Sequence, residues 1–208
     1  MPLMNKTEDR IIVAAGELFF RHGIKSITMD EIATHLGMSK KTIYQFYADK
    51  DAIVVALTEL ELSTQLQEME ELRKTAVNAI DEIFNMMSCL SRTFIKINAN
   101  VFYDMQKFHP DSWKRFHEFK EKKMFGFVEE NLKSGIRDKL YRSDVNAKIM
   151  AKFRMEEVAI AFNPAIFPPD KYNIKEVQMI LLDHFVHGIA TLKGHKLINK
   201  YKQVIEDE

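Results

Sequence analysis

The chain is poor in the features that would tie it to several functional classes. It has one cysteine, Cys89, so it can form no intrachain disulfide and suits a reducing compartment. A lone buried thiol serves as a small apolar side chain. No segment approaches about 18 uninterrupted apolar residues, so neither a membrane span nor a membrane partner is expected. The opening residues MPLMNKTEDR lack the apolar run of a secretion signal, and a cytoplasmic protein is the expectation. Net charge is absent too, with 30 basic against 30 acidic side chains. That balance argues against a protein that holds polyanions by overall charge. There is no phosphate-cradling glycine loop, no nucleophile elbow and no paired-carboxylate spacing, so no enzyme and no cofactor is expected. Internal repeats, low-complexity tracts and sustained two-residue apolar alternation are missing as well. The expected fold is therefore all-α.

What is present centres on 28–50, TMDEIATHLGMSKKTIYQFYADK. Thr28 and Glu31 have capping-box spacing, which starts a helix at Met29. Ile32, Ala33 and Leu36 fall on one face, and Gly37 suits the left-handed turn that ends the helix. Ser39 is a fresh N-cap for a second helix from Lys40 to about Tyr47. Within it Ile43, Phe46 and Tyr47 point inward at helical spacing, leaving Lys40, Lys41, Thr42, Tyr44 and Gln45 outward or at the rim. This set has the chemistry of duplex reading. In the major groove Gln can bridge adenine N6 and N7, Lys can reach guanine, and a Thr methyl can meet thymine. Gln45 is the foremost base reader. Thr28, Lys50 and the Tyr44 phenol lie at the edges and suit phosphate, which sets register without reading sequence. Lys40 and Lys41 suit either role. The first fifty residues carry nearly equal numbers of basic and acidic side chains, so any positive face must come from segregation.

From Ile11 to Ile53 the chain resembles the N-terminal domain of the TetR family of one-component transcriptional regulators. Ile11, Ala14, Ala15, Leu18, Phe19 and Gly23 match in the first helix. Thr28, Ile32, Ala33, Gly37, Ser39, Thr42 and Tyr44 match in the helix-turn-helix, and Lys50 and Ile53 in the fourth helix. No gap is needed. The chain departs at Lys41, where the family often has glycine, and at Phe46–Tyr47, where it usually has Tyr or His followed by Phe. The resemblance implies a helix-turn-helix DNA-binding domain over 1–50 and a helical bundle over 51–208 for effector binding and dimerisation. About nine to ten helices are expected in all.

Beyond the head, a fourth helix opens after Asp49 and carries Ile53, Leu57, Leu60, Leu66 and Met69. Further helices are expected over 80–94, 98–108 and 111–135, the last capped by Asp111. Asp144 is expected to cap a helix over 145–162, and Asn173 with Glu176 to open one that ends at Gly194. A short final helix is expected over 197–201. The segment NPAIFPPDK, with three prolines, is a loop. Fifteen Phe and twelve Met are a heavy allowance. Beyond core packing, Met adapts to irregular apolar surfaces, and pockets between bundle helices are mostly apolar. Phe84, Met87, Phe102, Met105, Trp113 and Phe116 are the expected walls of a cavity for a small apolar effector. The resemblance supports the place and implies nothing about the compound.

The helices at 145–162 and 173–193 are more apolar than one buried stripe requires. The resemblance implies that they pair with their copies in a homodimer, with Met150, Phe153, Ile180, His184 and His187 in the contact. Asp183, His184 and His187 have the spacing of a partial metal site, but no third ligand is evident and no metal is expected. The expected function is a repressor that binds a double-stranded, palindromic DNA operator and is released by its effector. A helical carrier whose head no longer reads DNA is the alternative.

Overall fold

The computed structural model describes residues 6–94, 98, 100–163, 165–168 and 170–202. Among these residues the regular elements are helices, apart from one antiparallel bridge between Tyr141 and Ala190. The chain divides into two compact units. One is Met1–Gln65 with Lys96–Glu118, and the other is Leu66–Ile95 with Phe119–Glu208. This grouping differs from a division at residue 50, because part of the fourth helix and the 98–118 region pack with the N-terminal helices.

The first unit begins with α1 (Lys6–His22). Gly23, at φ 85°, ends it and sends its amide to the Phe19 carbonyl at 2.8 Å. Helices α2 (Met29–Leu36) and α3 (Lys40–Tyr44) follow. The longer α4 (Lys50–Thr75) is opened by the Asp49 carboxylate, which accepts from the Ala52 amide at 2.8 Å. Ile11, Phe19, Ile32, Ile43, Tyr47 and Ile53 are buried together in one core. Helix α6 (Asn100–Phe108) adds Val101 and Met105 to that core, and Phe102 together with Trp113 and Phe116 of α7 (Pro110–Phe119) packs against it. Pro110, rather than Asp111, starts α7. Proline suits a first helical position because the amide it lacks would have no partner there, and the His109 carbonyl accepts the first bond, from Trp113.

In the second unit α5 (Ala79–Phe94) carries Ile80 and Met87 into a separate core. The single helix expected over 111–135 is instead a continuous path in three parts. After α7 comes a π-helical turn, Lys120–Met124, and then α8 (Phe125–Arg137). Helix α8 runs past Gly135, whose missing side chain makes room for Tyr141: a Cβ would lie 2.1 Å from that ring. Asn146, not Asp144, caps α9 (Ala147–Ala161) by accepting from the Ile149 amide. The Asp144 carboxylate is drawn to Arg142, 3.3 Å away.

Asn173 caps α10 (Ile174–Ile189) as expected, but the helix stops before Gly194 because Ala190 turns extended to bridge Tyr141. Helix α11 (Leu192–Lys202) then contains Gly194. A Cβ at Gly194 would sit 2.2 Å from the Leu140 carbonyl oxygen. This glycine permits a close crossing and does not terminate a helix.

Candidate nucleic-acid interface and effector cavity

The α2–turn–α3 element is built as its sequence dictates. Thr28 Oγ1 accepts from the Glu31 amide at 3.2 Å, and the Glu31 carboxylate accepts from the Thr28 amide at 2.7 Å. The Thr28 amide first, and the Thr28 hydroxyl after it, hold the Glu31 carboxyl below its usual pKa by donating to it. Gly37 takes the left-handed conformation at φ 63°. Ser39 Oγ then accepts from the Thr42 amide at 3.1 Å and lies 2.8 Å from the Thr42 hydroxyl.

Ile43 and Tyr47 are buried and pin α3 from beneath, with Phe46 packed against the same core. Lys40, Lys41 and Gln45 are exposed, Thr42 is half-buried, and Tyr44 leaves 46% of its surface to solvent. The helix is shorter than expected: Gln45 is its cap residue, and the chain turns there. Lys40, Lys41, Tyr44 and Gln45 nevertheless all reach solvent from this short element. Lys40 pairs with Asp30 at 2.8 Å, a bond that raises the lysine pKa.

Lys50 differs from its expected role. Its ammonium donates to the carbonyls of Ile24 (3.1 Å) and Ile27 (2.9 Å), clamping the link that precedes α2. Burial pushes its pKa down. Thr28 is likewise committed to its cap, since its hydroxyl also donates to Glu31 at 2.8 Å. Two of the three edge residues expected to hold phosphate, Thr28 and Lys50, thus make internal bonds, while Tyr44 stays exposed.

The cavity lies in the second unit and encloses about 50 Å³. Five methionines line it: Met69, Met86, Met87, Met124 and Met155, with Ile83, Phe127, Val128, Val158 and Leu182 completing the apolar wall. Of the six expected wall residues only Met87 is among them. Phe102, Met105, Trp113 and Phe116 belong to the first unit's core, where α6 and α7 carry them. Phe84 packs against the second core and stacks on Tyr201, with ring centres 6.0 Å apart.

The sequence reading also missed the cavity's three polar side chains, Glu82, Asn131 and Arg154. Glu82 accepts from Arg73 Nε at 2.8 Å and from Asn131 Nδ2 at 2.9 Å. Asn131 donates as well to the Ala79 carbonyl at 2.8 Å and accepts from the Tyr141 hydroxyl at 3.2 Å. Burial drives the Tyr141 pKa far above its ordinary value, with Glu82 adding to the effect. Arg154 pairs with Glu157 at 2.8 Å in the interior. A signal for this pair was available in MAKFRMEEVAIAF: Arg154 and Glu157 are opposite charges three residues apart, a spacing that lets them meet on one helix face.

Helices α9 and α10, which pack together, leave apolar side chains in solvent. Ile149 is 65% exposed, Phe153 51% and Ile180 61%. Of the expected contact residues, Phe153, Ile180 and His184 are exposed, while Met150 is half-buried against the second core. His187 is half-buried too, its Nδ1 2.8 Å from the Asp183 carbonyl. Ile149 and Ile160 extend the face at helical spacing from Phe153. No group of three or more His, Cys, Asp or Glu among the described residues could hold a metal ion. Cys89 is half-buried and its thiol donates to Glu68 at 3.1 Å. No helix among the described residues is long and apolar enough to cross a membrane.

The chain is similar to known proteins in sequence and in fold. A profile of the bacterial regulatory proteins of the tetR family matches residues 11–57. The uncharacterized HTH-type transcriptional regulator YvaF of Bacillus subtilis is 24% identical over 184 residues, covering 88% of this chain and 95% of its own. A transcriptional regulator from Cytophaga hutchinsonii superposes with a TM-score of 0.73 at 21% identity, over 90% of this chain and 100% of that one. Thermus thermophilus FadR, a TetR-family repressor solved in complex with lauroyl-CoA, superposes with a TM-score of 0.59 at 18% identity, over 88% and 95% of the two chains.

Proposed function

Because this chain belongs, through residues 11–57, to the TetR family of bacterial regulatory proteins, we propose that it is a cytoplasmic, ligand-responsive repressor acting as a homodimer on a near-palindromic DNA operator. Members of this family are DNA-binding transcriptional regulators and not enzymes. The observation that carries the proposal is the α2–turn–α3 element, with Lys40, Lys41, Tyr44 and Gln45 outward over buried Ile43 and Tyr47. An α-helix presented in this way fits the major groove. The solvent-facing Ile149, Phe153 and Ile180 supply the surface through which two copies pair. Two-fold pairing would set two heads on half-sites about 34 Å apart.

The effector enters the methionine-lined cavity of the second unit. At about 50 Å³ that cavity is small, whereas small-molecule pockets usually enclose roughly 300–1,000 Å³. An effector must therefore push its walls apart. Two of those walls continue along the chain into the first unit's core: α4 contributes Met69 to the cavity and Ile53 to that core, and the π turn that supplies Met124 follows directly on α7. Widening the cavity would thus favour a head spacing that no longer fits two half-sites. A differential affinity of about 1–3 kcal/mol changes occupancy by five- to 150-fold, which suffices for regulation.

Gln45→Ala is expected to lower operator affinity by about 1–3 kcal/mol and relax base preference at one position in each half-site. Lys41→Ala should weaken all sequences alike and reduce the salt dependence. Fluorescence anisotropy with duplex DNA measures both, and unchanged affinity in both variants would remove the assignment of the reading face. The Lys40–Asp30 pair and the inward Lys50 favour a second reading, a carrier whose head has lost DNA. Such a protein would show no sequence-dependent binding at any salt concentration.

A further inference from the structure

The three polar side chains of the cavity differ in what they have left to offer. Glu82 is satisfied at both oxygens, by Arg73 and by Asn131. Asn131 is satisfied at both ends, donating to Ala79 and Glu82 and accepting from Tyr141. These two groups are closed to a ligand unless the network that ties α5, α8 and Tyr141 together is broken. Arg154 is different. A guanidinium carries five N–H donors. Among the described residues Arg154 meets one carboxylate oxygen, on Glu157, and one thioether sulfur, on Met87, at 3.6 Å. Sulfur is a weak acceptor on a flexible, unbranched side chain, and an oxygen brought in by a ligand would readily take its place.

The surroundings sharpen the preference. Arg154 is almost wholly withdrawn from solvent, and the Phe185 ring centre lies 5.8 Å from its guanidinium carbon. Burial pulls its pKa below the ordinary guanidinium value while Glu157 opposes the shift. With Glu157 as its one charged partner among the described residues, the buried guanidinium keeps N–H donors for a further oxygen acceptor. A planar carboxylate can accept two parallel N–H bonds from a guanidinium. Met69, Met86, Met124 and Met155, whose thioether sulfurs are weak acceptors that need no partner, surround the remaining space.

We infer that the effector is an amphipathic carboxylic acid whose carboxylate displaces the Met87 sulfur from Arg154 while its apolar chain parts the methionine side chains. The inference rests on the reading of this cavity as the effector site, and it turns that site's generic apolar ligand into an acid with a defined anchor.

Decanoate and 1-decanol, which share a chain length and differ in the head group, separate the two levels of the argument. Titration calorimetry on the full-length protein, below the micellar range, should give decanoate the tighter binding by about tenfold or more, the worth of a charge-assisted hydrogen bond. In the double variant Arg154→Met/Glu157→Leu both charges leave together, so no unpaired ion remains. This variant should lose the preference while still binding decanol. Arg154→Lys, which keeps the charge and loses the fork, should retain part of it.

Equal binding of the two probes by the wild type, or a preference that survives in the double variant, would overturn the carboxylate inference and leave the cavity as an effector site. Binding of neither probe would overturn the inference and count against the effector site as well.

Discussion

Phe153→Glu is expected to convert the protein from a dimer to a monomer and to reduce operator affinity by about 10²–10⁴-fold, the advantage that two linked half-site contacts hold over one. Phe153 is 51% exposed on α9, between the exposed Ile149 and Ile160 on the same helix and near α10, which presents Ile180. Protein surfaces carry single apolar side chains without consequence, but a contiguous apolar patch marks an interaction site. A carboxylate at its centre would have to be buried without a partner when two copies meet, a cost that pairing cannot meet. In the monomer the new side chain reaches water and loses chiefly the stacking of Phe153 on Phe185, whose ring centres lie 6.4 Å apart. Dimerisation and folding should therefore separate. Sedimentation should show a monomer and circular dichroism an unchanged helix content. A variant that remains a dimer would mean that the pairing surface lies elsewhere.

Glu157→Leu alone should cost about 3–5 kcal/mol of stability, whereas Arg154→Met/Glu157→Leu should fold with nearly wild-type stability. The asymmetry follows from burial. Both side chains are more than nine-tenths withdrawn from solvent and face each other at 2.8 Å. Removing one partner leaves the other as an uncompensated interior charge, while removing both exchanges an ion pair for apolar contacts of similar volume. The sulfur of Met87 and the ring of Phe185 cannot replace the carboxylate for Arg154. Chemical denaturation of the two variants reads the difference directly. Equal losses in the single and double variants would show that the pair contributes through shape rather than charge. A pair that is neutral or costly for stability is also free to serve binding, which is consistent with the place of Arg154 in the cavity wall.

The reading head was legible because its signals are local. A capping box, a left-handed glycine and a serine cap act over three or four residues, and each has the geometry that its spacing required. The apolar period likewise located the inward Ile43 and Tyr47. Helix ends were less legible where a competing contact decided them. Arg142 takes Asp144 away from a cap, and the Leu140 carbonyl explains Gly194 within a helix.

The cavity was the least legible part because its walls are assembled from sequence-distant segments. Phe102, Met105, Trp113 and Phe116 have the same composition and periodicity as true wall residues, yet α6 and α7 pack them into the first unit's core. Periodicity shows which face of a helix is apolar, not which neighbour that face meets. Lys50 taught a similar lesson, since a lysine at a helix start can hold a phosphate or a carbonyl, and only the fold shows Ile24 and Ile27 within its reach.

The most direct test of the central claim is selection of duplex DNA by the purified protein from a random library, followed by affinity measurements on the enriched sequence over a range of salt concentrations. A dimeric reader should enrich a near-palindrome with half-sites about one helical turn apart. With roughly six to ten phosphate contacts, its affinity should fall by about 10³–10⁵ between 50 and 200 mM salt. No enriched sequence at any salt concentration, from a protein that is folded and dimeric, would contradict the account and leave the methionine-lined cavity as the protein's working part.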